Sequence, residues 1–578
     1  MRLFDPEPPP FDPLEWERKP LAERVRMACQ AWAEQGFGAP AFIFAAYALK
    51  IAAYVGVWFL LCWRTPGLGA PGELLDWWAE PLALQQALVW SLTFEILGLG
   101  CGSGPLTGRY LPPVGGALYF LRPGTIKLPV FEGAPIIGEA RRSWLDVGLY
   151  AGALAALGWT MLWPGAAPWQ LWLLLALVPA LGVLDKTLFL AARAEHFWVM
   201  LACLAWTGID ADSGSGWIAS TKVVALALWF WAGVSKLNHH FPSVVCVMAS
   251  NNPTMPFPGL RRRLYRAFPD DLRPSTLSVV LAHAGTAIEL GVPLLLALGH
   301  AAPHWVWLAG IVGMLYLHGY ITSNVPMGVP LEWNVVVVYG GLVLFAGHPE
   351  VAPFAGLDPA LIAFLISSVI AVPLVGNLFP DRVSFLLAMR YYAGNWPVGL
   401  WLFRGDKLDE LEALTKSAGW LEDQLAPFYA REVFVGLYAK SLAFRFMHLH
   451  GRAFARLIPR AVGEAEVEDY FIVEGELVGG MALGWNFGEG HLHNEQLLRA
   501  VQAQCGFAEG ELRCIFLEPQ ALGGRRQKWR IVDAATGLVE AGEVEIASLV
   551  DEQPWDGLSL GSGPSRPGVE GSNSSADL

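Results

Sequence analysis

Over its first two thirds the chain alternates long apolar runs with short polar joints, and after about residue 380 it loses that pattern. The first run, Ala39 to Trp63, holds a single charged residue, Lys50, and is long enough for a bilayer, whose hydrocarbon core takes roughly 20 helical residues. Further runs near 81–100, 144–163, 169–184, 188–208, 217–237, 275–299, 303–321, 331–346 and 359–378 predict about ten transmembrane helices in a domain spanning 39–380, several of them short for a crossing. Ahead of them, residues 1–38 contain an amphipathic pattern from Leu14 to Trp32, expected to lie on the membrane surface. The 101–140 stretch is too apolar for a solvated linker and too rich in Gly and Pro for a regular helix, so a re-entrant or interfacial segment is expected.

Residues 381–460 read as charged and amphipathic membrane-surface helices. One is expected over 406–424, and a basic one from Glu432 to Leu457, with Lys440, Arg445, Arg452 and Arg456, suits an anionic leaflet. Residues 461–556 predict a small α/β soluble domain, with strands near 470–474, 511–517, 527–533 and 538–547, a helix near 494–505 and a hairpin turn at Asp533 to Gly537. The stretch 557–578 is Gly, Ser and Pro without apolar period and is expected to be disordered. The fold class is therefore a polytopic all-α membrane protein with a small C-terminal α/β domain.

Composition agrees: 54% of the 578 residues are hydrophobic, 16% are charged, and many of the 26 tryptophans, such as Trp63, Trp163 and Trp305, edge the apolar runs. The net charge of -13 comes largely from the polar C-terminal part and argues against a nucleic-acid partner. Seven cysteines without a C-x-x-C pair indicate neither a disulfide framework nor a zinc site. Arginine and lysine crowd alternate joints, including Arg141, Arg142, Lys186, Arg261, Arg262, Arg263 and Arg382. By the positive-inside rule this places both termini in the cytosol and the chain in the inner (plasma) membrane.

Charges inside apolar runs mark the candidate chemistry, because an ionisable group there is costly unless paired or facing a polar cavity. Lys236 closes the run from Thr221 at or just inside the expected membrane boundary, where burial could hold it neutral as a general base. His283, Glu289 and His318 lie within runs, and Lys50 and Glu95 are placed to form a buried pair. The histidine pairs His239-His240, His448/His450 and His491/His493 have no spacing that specifies a metal.

Trp229-Phe230-Trp231-Ala232-Gly233-Val234-Ser235-Lys236-Leu237 resembles the F-x-A-G-V-x-K-L helix of the vitamin K-dependent gamma-carboxylase and the HTTM-type bacterial proteins related to it. In the same order, over about residues 144–346, come Leu184-Asp185-Lys186-Thr187 with His196, three residues further on than in that family, then Val279-Val280 with His283 and Glu289, then Tyr316-Leu317-His318 with Asn324. The resemblance implies a membrane-embedded base reaction. Lys236 would deprotonate a quinol, His283, His318 and His196 would act with it, and Glu289, Asn324, Asp185 and Trp231 would bind the substrate, with a quinone or hydroquinone as cofactor. Two features depart from the carboxylases: Lys236 falls toward the cytosolic face, and the polar C-terminal domain is unlike theirs. The full-length layout is also similar to a family of bacterial transmembrane proteins of unassigned activity.

Two functional classes follow. One is a lysine-dependent enzyme acting on a quinone or another lipophilic small molecule. The other is a non-catalytic lipid-binding or scaffold protein whose C-terminal domain docks a protein partner. Transport is a third reading, weakened by the lack of repeat-related broken spans. Membrane lipids are expected partners in every case.

Overall fold

A computed structural model describes residues 2–100, 116–167, 169–191, 194–209, 214–255, 257–325, 331–391, 394–485 and 490–560. The N-terminal amphipathic pattern forms a short helix, Pro13–Glu17, and α1 (Leu21–Gln35). Neither lies free on a membrane surface. Trp16 and Trp32 are fully buried, and the Trp32 indole donates to the Val247 carbonyl at 3.1 Å, so α1's apolar face is covered by protein.

The apolar runs become α2 (Ala41–Arg64), α3 (Pro81–Ile96), α4 (Trp144–Leu162), α5 (Gln170–Leu184), α6 (Val199–Thr207), α7 (Gly216–Val234), α8 (Phe241–Asn251), α9 (Thr276–Leu298), α10 (His304–Ser323), α11 (Leu331–Leu342) and α12 (Pro359–Leu365), the last continuing through a wide turn to Leu378. Among the described residues, six helices are long and apolar enough to cross a membrane: α2, α4, α7, α9, α10 and the composite Pro359–Leu378. The other expected runs form shorter apolar helices, so length supports six crossings of the expected ten. α3 and α5 stop at 16 and 15 residues, the run near 188–208 is described as a short helix, Lys186–Ala191, and a π-helical turn at Ala194–Trp198 leading into α6, and α11 gives way to a second π-turn at Val343–Gly347. Of the proposed re-entrant stretch, 101–115 lies outside the described residues; the remainder is a short helix, Ala117–Phe120, and an extended loop bridged at Ile126 and Arg141.

α7 is the axis of this bundle, packed by α6, α9 and α11. Small residues allow it: a Cβ on Gly233 would stand 2.8 Å from Leu290 on α9, so only glycine permits that approach.

After α8 a two-stranded ribbon, β1 (Tyr265–Ala267) and β2 (Asp271–Pro274), leads into α9. The polar half is built on a five-stranded antiparallel sheet of β3 (Val398–Arg404), β4 (Tyr470–Glu474), β5 (Leu512–Leu517), β6 (Arg526–Asp533) and β7 (Gly537–Glu545), in the order β4-β3-β5-β6-β7. Four strands fall near the expected places; β3 does not. It is taken from the region read as surface helices, because its uninterrupted apolar run, buried along six of its seven residues, gives a central strand rather than an alternating one. The helix expected over 406–424 is a 3-10 segment, Lys407–Ala413, followed by Leu421–Leu425.

The expected basic surface helix is two helices, α13 (Arg431–Met447) and α14 (Leu449–Val462), enclosed between α1 and the sheet. Its cations are occupied inside the protein, which removes them from any lipid surface. Lys440 binds the Glu7 carbonyl, Arg445 pairs with Glu474, Arg452 donates to the Glu552 carbonyl at 2.8 Å, and Arg456 meets the Glu552 carboxylate at 2.7 Å. The 561–578 stretch of the expected disordered tail lies outside the described residues.

Candidate functional site

Lys236 follows the last turn of α7 and is 6% exposed. Its ammonium pairs with Glu289, itself 5% exposed and near the middle of α9, while the Ala232 carbonyl lies 3.4 Å from Nζ and the Phe241 ring 5.6 Å away. The pair thus joins the end of α7 to the middle of α9. A carboxylate partner, not desolvation alone, answers for the buried charge. Lys222, in the same helix, has a different solution: its Nζ is held by the carbonyls of His348 and Val351 at 2.8 and 2.6 Å. Lys236, just past the end of α7, is in direct contact with a carboxylate, whereas Lys222 is held by carbonyls with Glu350 at electrostatic range.

His318, on α10, stands within electrostatic reach of Lys236. The Trp229 indole N–H donates to His318 Nε2 at 2.9 Å, and His318 Nδ1 lies 2.8 Å from Asn334 Oδ1. An indole only donates, so Nε2 must carry a lone pair and Nδ1 the proton. The imidazole is therefore held in its neutral Nδ1–H tautomer between α7 and α11.

Three consecutive residues at the start of α11 tie this site to the rest of the bundle. Asn334 orients His318. Trp333 packs on His196 with ring centroids 4.9 Å apart, and Glu332 meets Lys50 of α2 at 3.5 Å. Lys50 is thus paired with Glu332, and Glu95 stands nearby, both acids acting electrostatically on the Tyr54 hydroxyl. Sequence reasoning passed over this triplet because it sits at the beginning of a run. The signal was there in an acid, an indole and an amide set side by side before an uninterrupted Val335–Val338 stretch.

The other expected site residues do not gather at Lys236. His283 is exposed on the outside of α9. Six residues separate it from Glu289, and at about 100° per residue that spacing puts the two about 120° apart around the helix. Asp185 closes a separate node, pairing with Arg142 and accepting from the backbone of Leu128 and Thr187 at 3.2 and 3.0 Å, next to a second buried pair, Lys127 and Asp146, at 2.8 Å. That node anchors the loop before α4. Asn324 ends α10 and accepts from Asn252 at 3.1 Å, a tie between helix ends. Trp231 donates to the Val369 carbonyl at 2.9 Å, in the wide turn that continues α12. His196 is fully enclosed and lines a cavity of about 20 Å³ against Leu228 and Gly341, room for about one water. A larger cavity of about 460 Å³ opens between α2, α3 and α11, lined by Tyr54, Trp58, Trp90, Val336 and Tyr339, one turn beyond Glu332.

Where α7 hands over to α8, three further histidines meet. His240 and His448 are each about 1% exposed, and the His448 and His450 rings stack at 5.3 Å. Burial, aided by His239 beside His240 and Arg445 beside His448, pushes both the His240 and His448 imidazoles down to about 3.

Over residues 1–563 the chain matches the model of a family described as transmembrane proteins of unknown function (DUF3556), and it belongs to that family. No curated protein and no solved structure matches it.

Proposed function

We propose that this member of the family is a membrane-embedded enzyme in which Lys236 acts as a base on a quinone or another lipophilic substrate. The observation that carries the reading is the buried Lys236–Glu289 pair beside a histidine whose tautomer is set by Trp229 and Asn334. A buried acid and amine in contact share one mobile proton. A substrate entering between them separates the pair, leaving the amine free to take a proton as Glu289 holds its own. His318, with Nδ1–H engaged by Asn334, keeps the Nε2 face toward the indole; release of that bond would make it an acceptor for a substrate hydroxyl. The order of motifs that resembles the gamma-carboxylase and HTTM-type proteins is what suggests Lys236 as the base. The exposure of His283 and the ties of Asp185 and Asn324 argue against carrying that family's whole residue set across. The basic joints support an inner membrane location with both termini cytosolic.

The test is lipid mass spectrometry on wild type and Lys236→Ala, each incubated with membrane quinone, oxygen and bicarbonate. A modified quinone or a carboxylated species formed by wild type alone is the expected outcome. The same lipid co-purified unchanged with both proteins would end the catalytic reading. It would favour the second one, a lipid-binding scaffold, to which the aromatic cavity of about 460 Å³ is suited.

A further inference from the structure

A third cavity, of about 540 Å³, lies where the N-terminal segment and the α1–α2 loop meet the C-terminal end of α8, and Lys236 is not among its lining residues. Two glycines make this meeting possible. Gly36, at φ +62°, would place a Cβ 2.6 Å from the Asn251 Cα, and Gly38, at φ +64°, would place one 2.8 Å from the Glu7 Cβ.

Its wall combines fixed cations with polar atoms lacking partners. Arg261 is held by the Met255 and Glu34 carbonyls, both at 2.7 Å, through Nε and Nη1, which leaves Nη2 uncommitted among the described residues. Arg262 is clamped by the Glu34 carboxylate, and Arg2 is exposed at the rim. Asn251 is 7% exposed and accepts from the Phe37 amide at 3.0 Å, but among the described residues its buried Nδ2 has no acceptor and the buried Gln35 Oε1 no donor. Each such orphan is a desolvated polar atom whose unmet hydrogen bond a ligand carrying the complementary atom would supply. Three arginines against Glu7 and Glu34 leave one positive charge in excess.

The position decides what the ligand is attached to. Ala39 and Phe44, at the entry of α2, form part of the lining, and α2 is a candidate span with only 6% of its apolar window buried. Leu3 and Phe4 are each 62% exposed beside that entry, Phe4 lying 6.0 Å from the Phe42 ring. Charged cavity and bare apolar helix are continuous.

We propose that this cavity binds the phosphate-bearing headgroup of a membrane phospholipid. Arg2, Arg261 and the Asn251 amide meet the phosphate, Glu7 and Gln35 receive the donors of the headgroup, and the acyl chains run along α2. This site is independent of the Lys236 reading.

The experiment uses the delipidated full chain in detergent, titrated with dihexanoylphosphatidylethanolamine, dihexanoylphosphatidylglycerol and inorganic phosphate. At least one short-chain lipid should bind, with inorganic phosphate weaker. Arg261→Met and Asn251→Leu should each lower affinity about tenfold, the loss of roughly one charged hydrogen bond. Arg2→Ala, at the exposed rim, should weaken binding without touching the fold, and Arg263→Met, outside the cavity, should change nothing. Lipid affinity indifferent to Arg2, Arg261 and Asn251, or absent, would overturn the proposal. Inorganic phosphate binding as tightly as the lipids would overturn the headgroup and leave a free-phosphate site.

Discussion

Helices α2 and α7 read alike as spans, both apolar enough to cross a membrane, yet their surroundings are opposite. Only 6% of α2's apolar window is buried inside the protein, against 89% for α7. The outer helix is bare of protein along nearly its whole length, a surface suited to lipid, and its one lysine reaches inward to Glu332. The inner helix is enclosed over most of its length, so its polar atoms find partners in protein: Lys222 in two carbonyls, Trp231 in a third, Trp229 in His318 and, just past its end, Lys236 in Glu289. Apolarity tells that a segment can leave water. It does not tell whether lipid or protein receives it, and chemistry collects where protein does.

The largest test of this contrast lies in the charge pair. Lys236→Met alone strands a buried carboxylate and should lower the thermal stability of the detergent-solubilised protein by about 3–5 kcal/mol, while adding Glu289→Leu should restore most of it. A double variant no better than the single one would mean that the pair is not the partner of the charge.

Acid should next separate the layer that holds His240 and His448 from the bundle. Both are neutral in the folded chain with pKa values pushed down to about 3, against about 6.5 when unfolded. The unfolded chain therefore binds the extra protons. The stabilisation is complete above about pH 6.5 and is lost as pH falls toward about 3. His448→Phe should shift the acid unfolding midpoint to lower pH, followed by tryptophan fluorescence; an unmoved midpoint would refute the burial argument.

The smallest effects compare two glycines directly. Gly233→Val on α7 meets Leu290 at once and should cost about 1–3 kcal/mol, whereas Gly56→Val on α2 meets nothing within 4 Å and should stay within about 0.5 kcal/mol. Equal melting temperatures for the two would erase the distinction between the helices.

Much of the fold was legible in the sequence. The apolar runs located the helices to within a few residues, and the strands β4 to β7 fell near their expected places, with the Asp533 to Gly537 turn between the last two. Lys236, Glu289 and His318 were legible as costly groups inside apolar runs, and the structure brings these three together. His283 looked equivalent by the same rule. It is excluded by helical phase, since a step of six residues turns it away from the Glu289 face. The basic pattern of α13 and α14 was equally misleading, because a buried arginine with a carboxylate partner and one facing lipid phosphates leave the same trace in composition.

What the sequence determined alone is the inventory: apolar segments, their breaks, and the groups that cannot stay unpaired in them, all consequences of local composition and period. Which acid meets which lysine was decided only by tertiary structure. Lys50 meets Glu332, an acid nearly three hundred residues away, and Asn334 came to fix the tautomer of a histidine on another helix. Such pairings depend on helix rotation and packing distance, set by small residues such as Gly233 at contacts remote in sequence, and no local pattern encodes them.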